Sequence, residues 1–139
     1  MRCVDRNKSE FSYCLYSDKI PYMDEDGHRT GEHIVVYKDP VIMSANVSAA
    51  SGYAQTEQFG NLDNYDKVIV TDDMECPIDE NTVLFVDKEP EFVEAETYAK
   101  VDDRIVLQVI QMPVYDYTVR RVAKSLNSIS YALSKVDVS

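Results

Sequence analysis

The sequence predicts a small, single-domain, all-β protein, and three observations support this. The 139 residues are enough for one domain and too few for two. Ten Tyr and many Val, with only four Gly and no Trp, favour strands because such side chains fit a pleated, half-buried surface. Hydrophobic residues make up 45% of the chain, which is enough to build a core.

The N-terminal part predicts an arm followed by a strand. Residues 1–10 are polar and show no apolar period, so we expect a flexible arm ahead of one β domain over residues 11–139. Residues 11–20 alternate between apolar and polar side chains as a strand does. This strand ends at Pro21, which cannot donate a hydrogen bond to a neighbouring strand.

A hairpin and a further strand are expected next. Residues 24–31, DEDGHRTG, contain an Asp-Gly pair and a second Gly, which is the chemistry of a turn with positive φ. Residues 32–38 then form the returning strand. After the break at Asp39 and Pro40, residues 41–50 alternate again and predict another strand.

Residues 48–67 predict a long projecting loop. Apolar periodicity lapses here while Gly, Asn, Gln and Ser accumulate, and a stretch of this length without structure is usually functional or disordered. Its apolar side chains would be costly as an exposed patch, so contact with a neighbouring subunit is expected. The candidate contact residues are Tyr53, Gln55, Glu57, Phe59, Gly60 and Leu62.

The following residues predict short strands over 68–71, 81–87 and 104–112, the last ending at Pro113. The acidic residues 88–103 are expected to connect these strands rather than to pack. Residues 115–138 fit both a helical stripe and two alternating strands. We favour a β-hairpin with a turn near residues 126–128, because Val, Ser, Thr and Tyr are mediocre helix formers.

Charge and cysteine content limit the function classes. The net charge of −11 repels a phosphate backbone, so sequence-independent DNA binding is not expected, although an acidic wall would let a duplex slide past. No apolar run approaches the roughly 20 residues of a membrane-spanning helix, so no membrane role is expected. The odd number of cysteines, Cys3, Cys14 and Cys76, predicts unpaired thiols and a reducing cytoplasm.

No enzyme chemistry is predicted. The sequence contains no phosphate loop, nucleophile elbow or zinc-protease motif. His28 and His33 are the only histidines, on either side of a turn, and their spacing to the cysteines fits no zinc site. The pairs Asp72 with Asp73 and Asp79 with Glu80 are interpreted as solvated turn charges rather than as a calcium site or an acid–base pair. No catalytic residue, cofactor or metal is therefore expected.

A basic cluster stands out in this acidic chain and consists of Arg120, Arg121 and Lys124. On a strand, Arg120 and Lys124 would share one face and Arg121 would lie on the other. We expect these side chains to form salt bridges with an acidic neighbouring subunit rather than with DNA phosphates.

Three stretches resemble the head closure, or stopper, proteins of long-tailed bacteriophages. They are NKSEFSYCLYSDKIPYMDEDGHRTGEHIVVYKDP, then SANVSAASGYAQTEQFG with NLDNYDKVIVTDD, and finally YDYTVRRVAKSLNSISYALSKV. The resemblance implies a small β-barrel or sandwich that projects a loop and forms a six- or twelve-fold ring at the head–tail connector. It also implies a portal or adaptor protein above, a tail-terminator or tail-tube protein below, and DNA passing through the ring without sequence-specific binding.

The resemblance further implies a structural virion protein, assembled in the host cytoplasm, that closes the head, retains packaged DNA and provides the docking surface for the tail. Its loop would face the channel or the next subunit. Three alternatives remain open at this point: a tail-completion protein that joins tail to head, an acidic phage inhibitor of a host DNA-binding enzyme, and a small hydrolase using the carboxylate pairs.

Overall fold

The computed structural model describes residues 8–49 and 65–136, which form strands and turns without any helix. The prediction of an all-β fold is confirmed. In chain order the strands are β1 (Lys8–Cys14), β2 (Tyr16–Met23), β3 (Arg29–Tyr37), β4 (Val41–Ala49), β5 (Lys67–Thr71), β6 (Val83–Phe85), β7 (Phe92–Val101), β8 (Arg104–Pro113), β9 (Tyr117–Lys124) and β10 (Ile129–Lys135).

Six strands close into an antiparallel barrel in the order β1, β4, β5, β10, β9, β6. The short strand β6 completes the ring because it pairs with β1 on one side and with β9 on the other. Closure leaves none of these six strands with an open edge. Of the two predicted architectures, barrel and sandwich, the structure adopts the barrel.

The hydrophobic core fills the interior of this barrel. Strand β10 contributes Ile129, Tyr131 and Leu133, each with no more than 1% of its surface exposed. Burying one such large apolar side chain stabilises a fold by about 1.5–3 kcal/mol. The other buried members of the cluster come from β1, β4, β5, β6, β9 and the loop after β5: Phe11, Tyr13, Ala45, Ile69, Ile78, Leu84, Tyr117 and Val119.

Because the barrel strands are antiparallel, the connections between them lie at two opposite ends of the barrel. At the end that we call the cap end, the chain leaves β1, and residues 72–82 cross from β5 to β6 with Ile78 buried in the core. At the opposite end, which we call the loop end, β4 finishes, β5 begins, and β6 leads out towards β7.

The other four strands form two ribbons, β2–β3 and β7–β8, each inserted between neighbouring barrel strands. The predicted turn of the first ribbon is confirmed, and Gly27 supplies its positive φ of 81°. The two ribbons touch: the Met23 amide donates to the hydroxyl of the fully buried Thr97 at 2.8 Å. Near the tips, Ile105 packs so closely on Gly27 that an added Cβ would lie 2.9 Å from its Cδ1.

The roots of both ribbons cover one outer side of the barrel. The outward-facing Cys14, Val83 and Phe85 are buried there beneath Tyr37, Phe92 and Tyr115. Tyr37 and Tyr115 meet edge to face with their ring centroids 6.4 Å apart, a geometry that aromatic pairs favour. The ribbons are therefore packed elements and not loose extensions of the barrel.

The single strand predicted over residues 11–20 is wrong, because the chain leaves the barrel at Leu15 and continues as a ribbon strand. The Lys38 amide donates to the Leu15 carbonyl at 2.8 Å and fixes this exit point. Alternation of side chains runs through the break, so the pattern does not reveal it. Strand β1 also begins earlier than predicted, at Lys8, and residues 1–7 of the expected arm lie outside the described residues.

The prediction that residues 88–103 only connect strands is also wrong, since most of them form β7. Asp102 and Asp103 have φ values of 50° and 65°, the pair of positive angles typical of a tight type I′ hairpin turn. Glu94 and Glu96 occupy exposed positions on β7. Their charges made the segment look like a connection, although a ribbon strand needs no continuous apolar face.

The predicted hairpin at the C-terminal end is confirmed as β9 and β10. Its turn is closed by the Ser125 amide, which donates to the Ser128 carbonyl at 2.9 Å. The apolar spacing that also suggested a helix arises because Val119 and Val122 both face the barrel interior across an irregularity in β9.

Candidate interaction surfaces

The root of the predicted loop lies at the loop end of the barrel. Ala49 pairs with Lys67, so the end of β4 lies beside the start of β5. The predicted loop 48–67 is too long at both ends, because residues 48 and 49 belong to β4 and residue 67 belongs to β5. The candidate contact residues Tyr53, Gln55, Glu57, Phe59, Gly60 and Leu62 all lie outside the described residues.

Polar contacts anchor this root. The Asp66 amide donates to the Leu133 carbonyl at 2.6 Å, and the Asp66 carboxylate accepts from the Lys135 amide at 2.7 Å. Beside it, Lys67 Nζ donates to Asp87 Oδ1 at 2.8 Å, and the Tyr117 hydroxyl donates to Asp87 Oδ2 at 2.9 Å. These hydrogen bonds fix the position of the chain at the start of β5.

The charged side chains of Lys67 and Asp87 at the loop root stabilise each other. The hydrogen bond from Lys67 lowers the pKa of Asp87 below its ordinary value, while partial burial opposes this shift. Burial, followed by the hydrogen bond to Asp87, raises the pKa of Tyr117. At neutral pH Asp87 is thus an anion that accepts from a cation and from a neutral phenol. Lys67 also lies 5.6 Å from the centre of the Tyr117 ring.

A second carboxylate, Asp116, clamps the root of the β7–β8 ribbon. It is 8% exposed and accepts from the amides of Val86 at 2.9 Å and Asp87 at 2.8 Å. The Asp116 amide donates in turn to the Leu84 carbonyl. One side chain just before β9 therefore satisfies two amides just after β6, and so joins the two feet of the ribbon.

The basic cluster lies on β9 with a different arrangement from the predicted one. Val119 pairs with Leu133 and Arg121 with Ala132, so Arg120 is an extra residue in a β-bulge. The bulge breaks the alternation, and Arg120 and Arg121 are exposed together on the outer wall, whereas Lys124 ends the strand. Within residues 8–49 and 65–136, none of the three has an ion-pair partner.

A large exposed apolar surface lies on the β7–β8 ribbon, where no interaction was predicted. Of the twelve large hydrophobic residues that are exposed among the described residues, six belong to this ribbon, which concentrates the apolar surface in one place. They are Val93, Val101, Ile105, Val106, Leu107 and Val109. The sequence of residues 104–112 could have signalled it, because its apolar residues are not confined to alternate positions and therefore stand on both faces of this strand.

The predicted turn charges act as turn caps. Asp79 Oδ1 accepts from the Asn81 amide at 2.9 Å and from the Thr82 hydroxyl at 3.1 Å. Asp73 Oδ1 accepts from the Glu75 amide at 3.0 Å. These are the local side-chain to backbone bonds by which Asp favours turns.

The histidines lie at the surface of the β2–β3 ribbon, as expected. His28 belongs to a group with Asp24 and Asp26 whose possible ligand atoms lie within 4.8 Å of one another. Asp24 Oδ1 accepts from the amides of Asp26 and His28, so this group is the turn itself. His33 lies apart on β3.

Cys14 and Cys76 are free thiols, and Cys3 lies outside the described residues. Burial, with a smaller contribution from Asp39, raises the pKa of Cys14 to about 11 and leaves this thiol unreactive at neutral pH. Among the described residues, no helix has the length and hydrophobicity to cross a membrane.

The described part of the molecule thus offers three features for interaction with other molecules: an anchored loop root, a basic bulge and an apolar ribbon. Comparison of the chain with models of known protein families, with curated proteins and with solved structures finds no match.

Proposed function

We propose that this chain is a structural, non-enzymatic virion protein of a tailed phage that forms a ring at the joint between head and tail. It closes the head, retains the packaged DNA and offers the tail its docking surface. The single observation that carries the proposal is the exposed ribbon on a closed barrel, since six exposed apolar residues on one projection call for a neighbour.

The barrel gives such a subunit a rigid body. Its six strands have no open edge, and its hydrophobic core lies inside the closed barrel. The barrel therefore needs no partner to complete its sheet or its core. The contacts with other subunits then fall to the projections. A stable barrel with separate contact elements suits a ring in which each copy folds by itself and binds its neighbours through arms and loops.

The anchored root supports a role for residues 48–67 in the channel or between subunits. Asp66 and Lys67 hold the entry into β5 through three hydrogen-bonding partners, Leu133, Lys135 and Asp87. A long insertion on a fixed base can reach outwards while the barrel remains unchanged.

The acidic charge suits a channel through which DNA moves. A net charge of −11 disfavours phosphate binding, so a duplex would pass such a wall without being held. In this proposal a portal or adaptor protein binds one face of the ring, and a tail-terminator or tail-tube protein binds the other. The resemblance of most of the sequence to head closure proteins supports this arrangement, with tail completion as the alternative position in the same joint.

Deletion of residues 52–60 tests the proposal. The root contacts of Asp66 and Lys67 stay outside the deletion, so we expect the thermal unfolding temperature of the isolated chain to change little. Phage particles made with the shortened chain should lose packaged DNA, measured as the fraction of heads filled with DNA in electron micrographs. A Gly-Ser segment of the same length in place of residues 52–60 is the matched control, because it separates loop length from side-chain chemistry.

Infectious, DNA-filled particles made with both the shortened chain and the Gly-Ser chain would contradict the role of the loop. Absence of the chain from purified virions, measured by mass spectrometry, would contradict the whole proposal. A chain that stays monomeric and inhibits a host DNA-binding enzyme would instead support the acidic-inhibitor alternative.

A further inference from the structure

The β7–β8 ribbon, which we call the ribbon arm, has more apolar surface than the described chain covers. Leu107 and Val109 are two residues apart on β8, share one face and are each 48% exposed. Val106, on the opposite face, is 46% exposed. Apolar side chains that emerge on both faces of a projecting strand are rarely left in water, and they mark an interaction site.

The outer edge of β8 adds a second reason for a partner. Among the described residues β7 is the only strand that pairs with β8, and the other edge of β8 makes no backbone pairing. Proteins protect long edges with Lys, Pro, a bulge or a short strand. Between Ile105 and Met112, β8 has none of these features, and its register with β7 is continuous.

The ribbon arm is held in place by contacts with the β2–β3 ribbon and by a clamp at its own feet. Thr97 binds the backbone of β2 through Met23, and Ile105 packs on Gly27 at the tip of the neighbouring ribbon. Asp116 fixes the two feet of the arm to each other. The arm is thus preorganised in this position, and within residues 8–49 and 65–136 no element covers its exposed apolar residues.

Charge identifies a surface that fits the arm. Glu96 lies directly opposite Val109, and Glu94 lies opposite Gln111, so both carboxylates are on the same face as the apolar pair. Lys100 is on this face as well, towards the tip of the arm. On the barrel, the bulge exposes Arg120 and Arg121 together, and neither has an ion-pair partner among the described residues.

We propose that the ribbon arm docks on β9 of a second copy of this chain. Leu107 and Val109 pack on the neighbour's barrel wall, while Glu94 and Glu96 pair with the neighbour's Arg120 and Arg121. The contact joins two different surfaces, so each copy can give one arm and receive one, and repetition closes a ring when the rotation permits. The inference rests on the proposed ring and names the interface that builds it.

A charge exchange between two variants tests this pairing directly. Variant A carries Glu94→Lys and Glu96→Lys, and variant B carries Arg120→Glu and Arg121→Glu. Each alone places like charges at every interface, so we expect self-association, measured by analytical ultracentrifugation of the full chain, to weaken at least about tenfold. Mixed in equal amounts, A and B should associate again in alternation, because the arm of each then meets an opposite charge.

The apolar part of the proposed interface is tested by Leu107→Glu, which should leave the chain folded and monomeric. Leu126→Glu is the matched control: Leu126 is 90% exposed on the turn after β9, so the same change there should leave self-association unaltered. Circular dichroism and thermal unfolding of every variant establish that the fold is kept. All of these positions are exposed, so their substitution removes no core contact.

The possible outcomes separate this inference from the proposed function. If the wild-type chain associates and variants A, B and Leu107→Glu associate equally well, the arm-to-β9 contact is wrong and the ring proposal stands. If the wild-type chain stays monomeric at all concentrations and salt conditions, the arm does not bind a second copy. Loss of association in A and B without recovery in the mixture would also overturn the pairing. Presence or absence of the chain in virions decides the proposed function separately.

Discussion

The barrel and the β7–β8 ribbon are compared most directly through one strand of each, β10 and β8. Both are rich in apolar residues, with RIVLQVIQMP in β8 and ISYALSK in β10. In β10 the first five residues are all buried, whereas in β8 eight of the ten residues are exposed or half-buried. The difference comes from position: β10 has barrel neighbours on both sides, and β8 has one neighbour in a ribbon. Apolar composition therefore indicates that a strand will be covered, but not which molecule covers it.

The largest expected effect contrasts a leucine in each region. Leu133→Ala removes a fully buried side chain from the barrel core and should lower the free energy of unfolding by about 2–5 kcal/mol. Leu107→Ala, on the half-exposed ribbon face, should cost less than about 1 kcal/mol in the monomer. Urea unfolding at a concentration where the chain is monomeric measures both. Equal losses would mean that the ribbon is part of the core, against the comparison drawn here.

A middle-sized effect is expected at Asp116, where the ribbon joins the barrel. Asp116→Ala leaves the amides of Val86 and Asp87 without their acceptor, at a cost of about 1–3 kcal/mol. Asp116→Asn keeps one carbonyl acceptor and should lose less. Hydrogen exchange at these two amides should accelerate in the same order. Unchanged exchange in the alanine variant would show that the carboxylate does not clamp the ribbon.

The smallest expected effect is the pH dependence of folding stability that comes from Asp87 at the loop root. The pKa of Asp87 is lower in the folded chain than its ordinary value of 3.8, so its ionised form stabilises the fold above that value. This contribution is lost as the pH falls through the lowered pKa. Asp87 is about half exposed, so solvent screening keeps the effect within about 1 kcal/mol.

Thermal unfolding of the wild-type chain and of Asp87→Asn between pH 7 and pH 2 measures this contribution. We expect the wild-type chain to be the more stable at neutral pH and the two curves to converge in acid, with a smaller gap at high salt. A gap that stays constant down to pH 2 would assign the effect to something other than the ionised carboxylate.

Local patterns predicted most of the strands. Gly27 and its neighbours gave the first hairpin, and the dense Val, Ser and Tyr of residues 115–138 gave the second. These predictions succeed because turn chemistry and side-chain alternation act over a few residues. The two errors share one cause: the break at Leu15 and the acidic β7 both depend on which sheet a strand joins, and that choice has no local signal.

The interaction surfaces were less accessible to prediction. Arg120, Arg121 and Lys124 were identified by their charge, but the bulge that exposes both arginines appears only when β9 is paired with β10. The apolar surface of β8 was missed because residues 104–112 were interpreted as an ordinary strand, although apolar residues stand on both of its faces. Loop residues 50–64 lie outside the described residues, and their role remains a prediction.

By itself the sequence determined the all-β class, most strand positions and the two confirmed hairpins, since each depends on residues close together in the chain. Tertiary structure alone decided that six strands close into a barrel, that two ribbons leave it, and that the described part of the chain leaves apolar residues of one ribbon exposed. Those outcomes depend on pairing between distant segments, such as β1 with β6 and β5 with β10, where burial of a shared core selects among many locally equivalent arrangements.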